Sequence, residues 1–281
     1  MKNRNQKNHF NFKAALKFTG AAFFIIGAIL FTGCQSRSDK LYAEAYEKIN
    51  QNKFKDAIEL LESSSELEKN NIKKTKALFE AARLLRFESQ DYEAALKHLR
   101  TVVLSSEDEK MRLLAQESIC EIYFDHMQNY HEALKELLIL EPLLKESKKK
   151  ELLRLKIAQS QHLIGSSQVA REYIDSVLKI SGVDKNPFLK LKAQVLQSEN
   201  KLDEALKIYD QIYNLSQKYF ATENLFYVVS AIQEEKKDYK LGVEYLEKHS
   251  EEIADKNYLE LRIKKLKEKQ INKPFSRGVR K

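Results

Sequence analysis

Glycine and proline are scarce, with 7 and 3 in 281 residues, and tryptophan is missing altogether. An all-β sandwich needs turn residues at many fixed points, and a dinucleotide-binding α/β domain needs a glycine-rich phosphate turn, so this composition disfavours both. Two cysteines and the lack of any glycine period exclude a disulfide-stapled scaffold and a collagen-like chain. Catalytic signatures are equally thin. There is no phosphate-cradling loop and no glycine-flanked serine elbow. His131-Glu132 opens like a zinc-protease helix, but Lys135 stands where the second histidine would bind metal. Asp125, His126 and His131 read as a solvated hairpin turn. Paired acids such as Glu234-Glu235 and Glu251-Glu252 read as solvated helix faces. No enzyme activity, metal or cofactor is expected.

A surplus of positive charge is present, and its distribution matters more than its size. The 49 Lys and Arg against 41 Asp and Glu give +8. Residues 1–33 hold five cations and no acid, and residues 264–281 carry a net +7, so residues 34–263 are net −4. An acidic body gives no support to nucleic-acid binding. The cationic start is followed by an apolar run from Phe18 to Thr32, short for a membrane span, which needs roughly 20 residues, and suited to a secretory signal. The run ends Thr32-Gly33-Cys34, with Phe31 where an aliphatic residue is usual. This resembles a bacterial lipoprotein signal, which implies removal of residues 1–33, lipidation of Cys34 and a membrane-held chain outside the cytoplasm. Gln35 resembles the residues that allow sorting to the outer membrane. Residues 34–40 then read as a tether, and Cys120, among Ile119, Ile122 and Tyr123, as a small buried residue.

The strongest signal is an internal repeat. Asn52 to Leu61 is echoed by Gln90 to Leu99, Gln128 to Leu137 and Asn200 to Tyr209, with weaker copies at Gly165 to Ile174 and around Tyr239. The small residues Ala57, Ala95, Ala133, Ala170, Ala205 and Gly242 recur at 38, 38, 37, 35 and 37 residues. Three positions earlier five copies place a large residue, Phe54, Tyr92, Tyr130, Leu202 and Tyr239, and the weaker copy has Ser167 in that slot. A large apolar residue or tyrosine then lies four positions after each small one. That spacing fits the second helix of a hairpin whose small residue lets the first helix approach closely. First-helix stripes such as Leu41, Ala45 and Ile49 precede it. One such hairpin cannot bury its apolar side alone, whereas stacked hairpins can.

The pattern resembles the tetratricopeptide repeat over residues 41–250, with a period longer than 34 and with Asn or Gln replacing the turn glycine except at Gly165. The resemblance implies an all-α, right-handed α-solenoid of about six helical hairpins. Leu259, Ile263 and Leu266 predict a capping helix over 251–266, and 267–281 reads as a flexible basic tail. It also implies a partner-binding groove lined by the first helices. Counted back from the small residues, the groove positions are Tyr42, Tyr46, Leu84, Phe87, Ile122, His126, Gln159, His162, Lys190, Gln194 and Tyr227. Lys190 and Gln194 echo a carboxylate clamp at one repeat, and the neighbouring repeats do not complete it. Export signal, lipidated cysteine and repeats together resemble outer-membrane lipoproteins that serve β-barrel assembly, secretion, pilus or cell-wall machinery. The expected function is a noncatalytic periplasmic scaffold for an envelope protein. The alternative is an envelope protein that acts through its basic tail on acidic polymer or lipid.

Overall fold

The computed structural model describes residues 36–272; the expectations placed on 1–35, including Cys34, and on 273–281 lie outside the described residues. Fourteen α-helices and no strand are found among the described residues, arranged as six antiparallel hairpins and a closing helix. The hairpins are α1 (Arg37–Asn50) with α2 (Phe54–Leu67), α3 (Asn71–Leu84) with α4 (Tyr92–Ser105), and α5 (Glu109–Glu121) with α6 (Tyr130–Leu140). They continue with α7 (Ser147–Leu163) and α8 (Ser167–Val177), then α9 (Lys185–Ser198) and α10 (Leu202–Leu215). In the sixth, α11 (Gln217–Thr222) and α12 (Leu225–Glu235) precede α13 (Tyr239–Lys248), and α14 (Lys256–Ile271) follows. The solenoid expected from the repeat is therefore present. Side chains of Ser36, Asn70, Asp91, Asp108, Asn129, Asp184, Ser216 and Asp255 cap the helices they precede by accepting first-turn N–H bonds.

The hairpin turns share one backbone device. Asn52, Gln90, Gln128, Gly165, Asn200 and Lys237 all adopt positive φ, each five residues before its small partner. Beyond the first, fourth, fifth and sixth turns the N–H of Lys53, Ser166, Lys201 and Asp238 reaches back to the carbonyl five residues earlier, closing the first helix. Asparagine tolerates this left-handed region and glycine is free in it, but glutamine carries a steric cost of about 1–2 kcal/mol. Gln90→Gly and Gln128→Gly are each expected to raise stability by up to about 1 kcal/mol, read as a shift in the urea midpoint at unchanged slope. Destabilisation by both would contradict that account.

The six small residues sit where the helices close on one another. Ala57, Ala95, Ala133, Ala170 and Ala205 are fully buried, and Gly242 is buried beneath α14. A Cβ on Gly242 would lie 3.4 Å from Leu266 Cδ1, which places the closing helix directly over the last hairpin. Of the large residues before them, Leu202 is buried and Phe54, Tyr92, Tyr130 and Tyr239 are half-buried. Neighbouring hairpins are further stitched by pairs separated by about one repeat: Asp39 with Lys73 at 2.7 Å, Glu62 with His98 at 2.7 Å, and Asp125 with Lys156 at 2.7 Å. At ~0–1 kcal/mol each these exposed pairs set register more than stability.

Three boundaries differ from the sequence reading. The stretch 34–40 is not a tether throughout. Ser36 caps α1, Ser38 is buried, and its hydroxyl donates to Glu68 at 2.7 Å. The closing helix starts at Lys256 rather than 251, because Ile253 is first buried in an extended link. It also runs past 266 to Ile271, so Lys267 and Lys269 belong to the helix, not to a tail. They are held by Glu247 and Glu234 of the preceding hairpin.

Candidate functional site

Of the eleven residues expected along the groove, nine are partly or fully exposed and two are not. Leu84 and Ile122 are 1% and 0% exposed and belong to the core of the first three hairpins. The cause is local. Both α3 and α5 end in a wide π-helical turn, Leu85–Ser89 and Ile122–His126, which adds a residue before the hairpin turn. One extra residue rotates everything upstream by about 100°, so the outward positions become Arg83 and Glu121. Arg83 Nε donates to Glu80 Oε2 at 3.0 Å, and Glu121 accepts from Arg86.

Within the wide turns, Phe87 and His126 stand on the surface and are held in one cluster. Arg86 is the organiser. Its Nη1 donates to Glu121 Oε2 at 2.7 Å, its Nε donates to His126 Nε2 at 3.2 Å, and its guanidinium lies 4.5 Å from the Phe87 ring centroid. The His126 ring stacks on Tyr92 at 5.0 Å and meets Phe87 edge-on at 6.5 Å. Phe87 nevertheless remains 53% exposed. The sequence reading missed Arg86, whose signal was its position one residue before an exposed aromatic at a hairpin turn.

The third, fourth and fifth hairpins together form a shallow cavity of about 540 Å³. It is lined by Phe124, Tyr130, Gln159, His162, Leu163, Leu191, Gln194 and Gln197. Phe124 and Tyr130 meet edge-on at 5.6 Å, and Lys156 lies 4.8 Å from the Phe124 centroid while paired to Asp125. His162 Nδ1 is 3.1 Å from Ser167 Oγ, and Gln197 accepts from the Tyr209 hydroxyl at 2.9 Å. Gln159 and Gln194 thus offer amides beside aromatic faces.

The two ends of the row behave differently. Tyr42 and Tyr46 share a hydroxyl contact of 3.2 Å, and burial with that contact pushes the Tyr42 phenol far above its usual range. Lys190 is tied to Glu223 at 2.5 Å, so it is not a free partner for a carboxylate. Tyr227 donates to the Asp255 carbonyl at 3.2 Å and packs edge-on against Tyr258 at 4.7 Å, so the closing helix occupies that end.

Among the described residues no group of three His, Cys, Asp or Glu could hold a metal ion. Asp125 is engaged by Lys156 and His126 by Arg86. Cys120 is buried, and burial pushes its thiol up to about 12, so little nucleophilic thiolate forms near neutral pH.

No family model and no curated protein matches the chain. Among solved structures, a tetratricopeptide repeat protein from Parabacteroides merdae aligns with TM-score 0.53 at 13% identity, covering 85% of this chain and 94% of its own. The fold is a tetratricopeptide-type solenoid. PilF of Pseudomonas aeruginosa aligns with TM-score 0.44 at 13% identity over 82% of this chain and 96% of its own. The apo form of RapI gives 0.45 at 12% identity, with 84% of each chain covered. Within this solenoid the exposed aromatic cluster and the amide-lined cavity lie on successive hairpins, α3–α4 through α9–α10.

Proposed function

We propose that this protein is a noncatalytic scaffold of the bacterial envelope. It is anchored through a lipid on Cys34, faces the periplasm and captures a segment of another envelope protein along its first-helix face. The observation that carries this reading is Phe87. A large aromatic ring that stays 53% exposed while a paired arginine fixes it is pre-organised for contact. The neighbouring cavity continues the surface with amides that can serve the backbone of an extended segment. Outer-membrane assembly, secretion, pilus and cell-wall complexes are the settings in which such a segment is to be sought. The reading that places function in a basic tail loses part of its basis, since Lys267 and Lys269 are engaged by acids of the last hairpin.

The test is photo-crosslinking in intact cells with the crosslinker placed at Phe87 and at Gln194, followed by mass spectrometry. One recurrent envelope protein is expected from both positions. Phe87→Ala is expected to weaken its capture from Gln194 about 30-fold, the effect of losing a ~2 kcal/mol anchor. Capture unchanged by Phe87→Ala, or no recurrent protein, would remove the reading.

A further inference from the structure

The early start of α1 has a geometric consequence. Cys34 lies two residues before Ser36, which already caps that helix. Two residues span at most about 7 Å. A lipid on Cys34 would therefore hold the solenoid directly against a bilayer rather than on a long leash, and the edge where α1 begins would face the lipid.

That edge can be identified from contacts. First helices begin where second helices end: Ser64 at the end of α2 donates to the Ser38 carbonyl at 2.8 Å, and Asn71 at the start of α3 donates to the Ser105 carbonyl at 2.8 Å. Asp39 bridges the first two hairpins on the same edge through Lys73. Along it the chain exposes Leu67, Ile72, Leu104, Ile139 and Leu143, at 48%, 48%, 86%, 55% and 52%. None of these belongs to the groove. The segments 37–40, 66–74, 104–112 and 139–151 on this edge hold eleven Lys and Arg against nine Asp and Glu. The opposite edge over the same four hairpins, segments 47–56, 86–94, 121–132 and 162–172, holds five against nine. Its large exposed apolar residues are Phe87 of the groove cluster, Leu163 of the cavity wall, and Val169.

We propose that this apolar, mildly cationic edge of the first four hairpins rests on the bilayer surface, with Leu104 and Ile139 entering the headgroup boundary. The inference rests on lipidation of Cys34. A row of exposed leucine and isoleucine flanked by lysines is the chemistry that lies in an anionic lipid interface, the apolar side chains below and the ammonium groups at headgroup level. The orientation leaves the acidic, Phe87-bearing edge pointing away from the membrane.

Because the chain has no tryptophan, single tryptophans report the contact without background. Full-length protein purified from membranes carries Leu104→Trp, Ile139→Trp, or the controls Val169→Trp and Leu241→Trp, and is reconstituted in vesicles with phosphatidylglycerol and brominated acyl chains. Mass spectrometry of the same samples reads the lipid on Cys34. The two edge tryptophans are expected to shift to the blue and lose intensity several-fold to the bromolipid, and the two controls to do neither. Vesicle-bound protein in which edge and control tryptophans respond alike would overturn the orientation and leave the anchor standing. An edge tryptophan that is blue-shifted in detergent and returns to the red on dilution would assign the row to a second copy of the chain and overturn the proposal. A Cys34 without lipid would take down both the anchor and the orientation.

Discussion

Phe226→Ala is expected to cost about 3–5 kcal/mol, a large fraction of what a domain of this kind has to lose. Phe226 is 2% exposed and packs against Phe220 at 4.8 Å, His249 at 5.1 Å, Tyr213 at 6.1 Å and Tyr245 at 6.4 Å. His249 is itself buried and shares a 2.7 Å contact with Glu252, whose two oxygens also accept from the Tyr213 hydroxyl at 3.0 Å. Removing the ring therefore opens a cavity and also loosens the wall that orients the buried His249 ring toward Glu252. Burial alone would raise the Glu252 carboxyl, but the bonds from His249 and Tyr213 outweigh it and hold it below the usual range. That contribution is present above about pH 4.3, the ordinary glutamate value, and is lost as pH falls through the lowered one. Each hairpin touches only its neighbours, so the damage should stay local. Hydrogen exchange is expected to show lost protection in α12, α13 and α14 with α1 to α6 unchanged. Leu104→Ala, at an 86% exposed site, should stay within about 0.5 kcal/mol of the parent. A Phe226→Ala loss below about 1 kcal/mol, or protection lost evenly along the chain, would contradict this packing.

How much of this was legible in one dimension depends on which residues carry the constraint. The row from Ala57 to Gly242 is legible because close helix approach admits only a small side chain, and the period repeats it six times. The left-handed turns leave a weaker mark, because Asn, Gln, Lys and Gly all occupy them at the same offset. Leu84 and Ile122 were misplaced because the count assumed one pitch to the end of each helix, and π-helical turns leave no composition signal. Groove membership also depends on partners far away in the chain. Lys190 looks free until Glu223 is placed beside it, and Tyr227 looks available until α14 closes over it. Arg86 becomes a site residue only through Glu121 and His126, 35 and 40 residues away.

The second large effect concerns α14 and decides how the basic end can be tested at all. A chain ending at Asp255 loses Leu259 and Leu266, which are 4% and 0% exposed, and the partly buried Ile263. At about 1.5–3 kcal/mol for each fully buried aliphatic side chain, the last hairpin forfeits about 4–8 kcal/mol of burial and exposes Gly242 and Leu246. It also loses the grip of Arg262 and Lys269 on Glu234. Burial would raise that carboxyl, but its bonds to Lys269 and Arg262 outweigh the burial and hold it below its usual range. The expected result is unfolding of α11 to α13 at temperatures where α1 to α8 remain folded, seen as a first transition in calorimetry and as early protease cuts after Leu215. Cutting at 264 to remove the basic end gives nearly the same result, because Leu266 goes with it. Loss of partner capture after that cut would report a collapsed hairpin, not a lost charge. A chain ending at Asn272 keeps every described residue of the closing helix and removes the remaining cations. Its melting should match that of the full chain within about 0.5 kcal/mol, so any loss of partner binding it shows belongs to residues 273–281. A single unfolding transition in the chain ending at Asp255, at the temperature of the full protein, would mean that α14 does not close the solenoid.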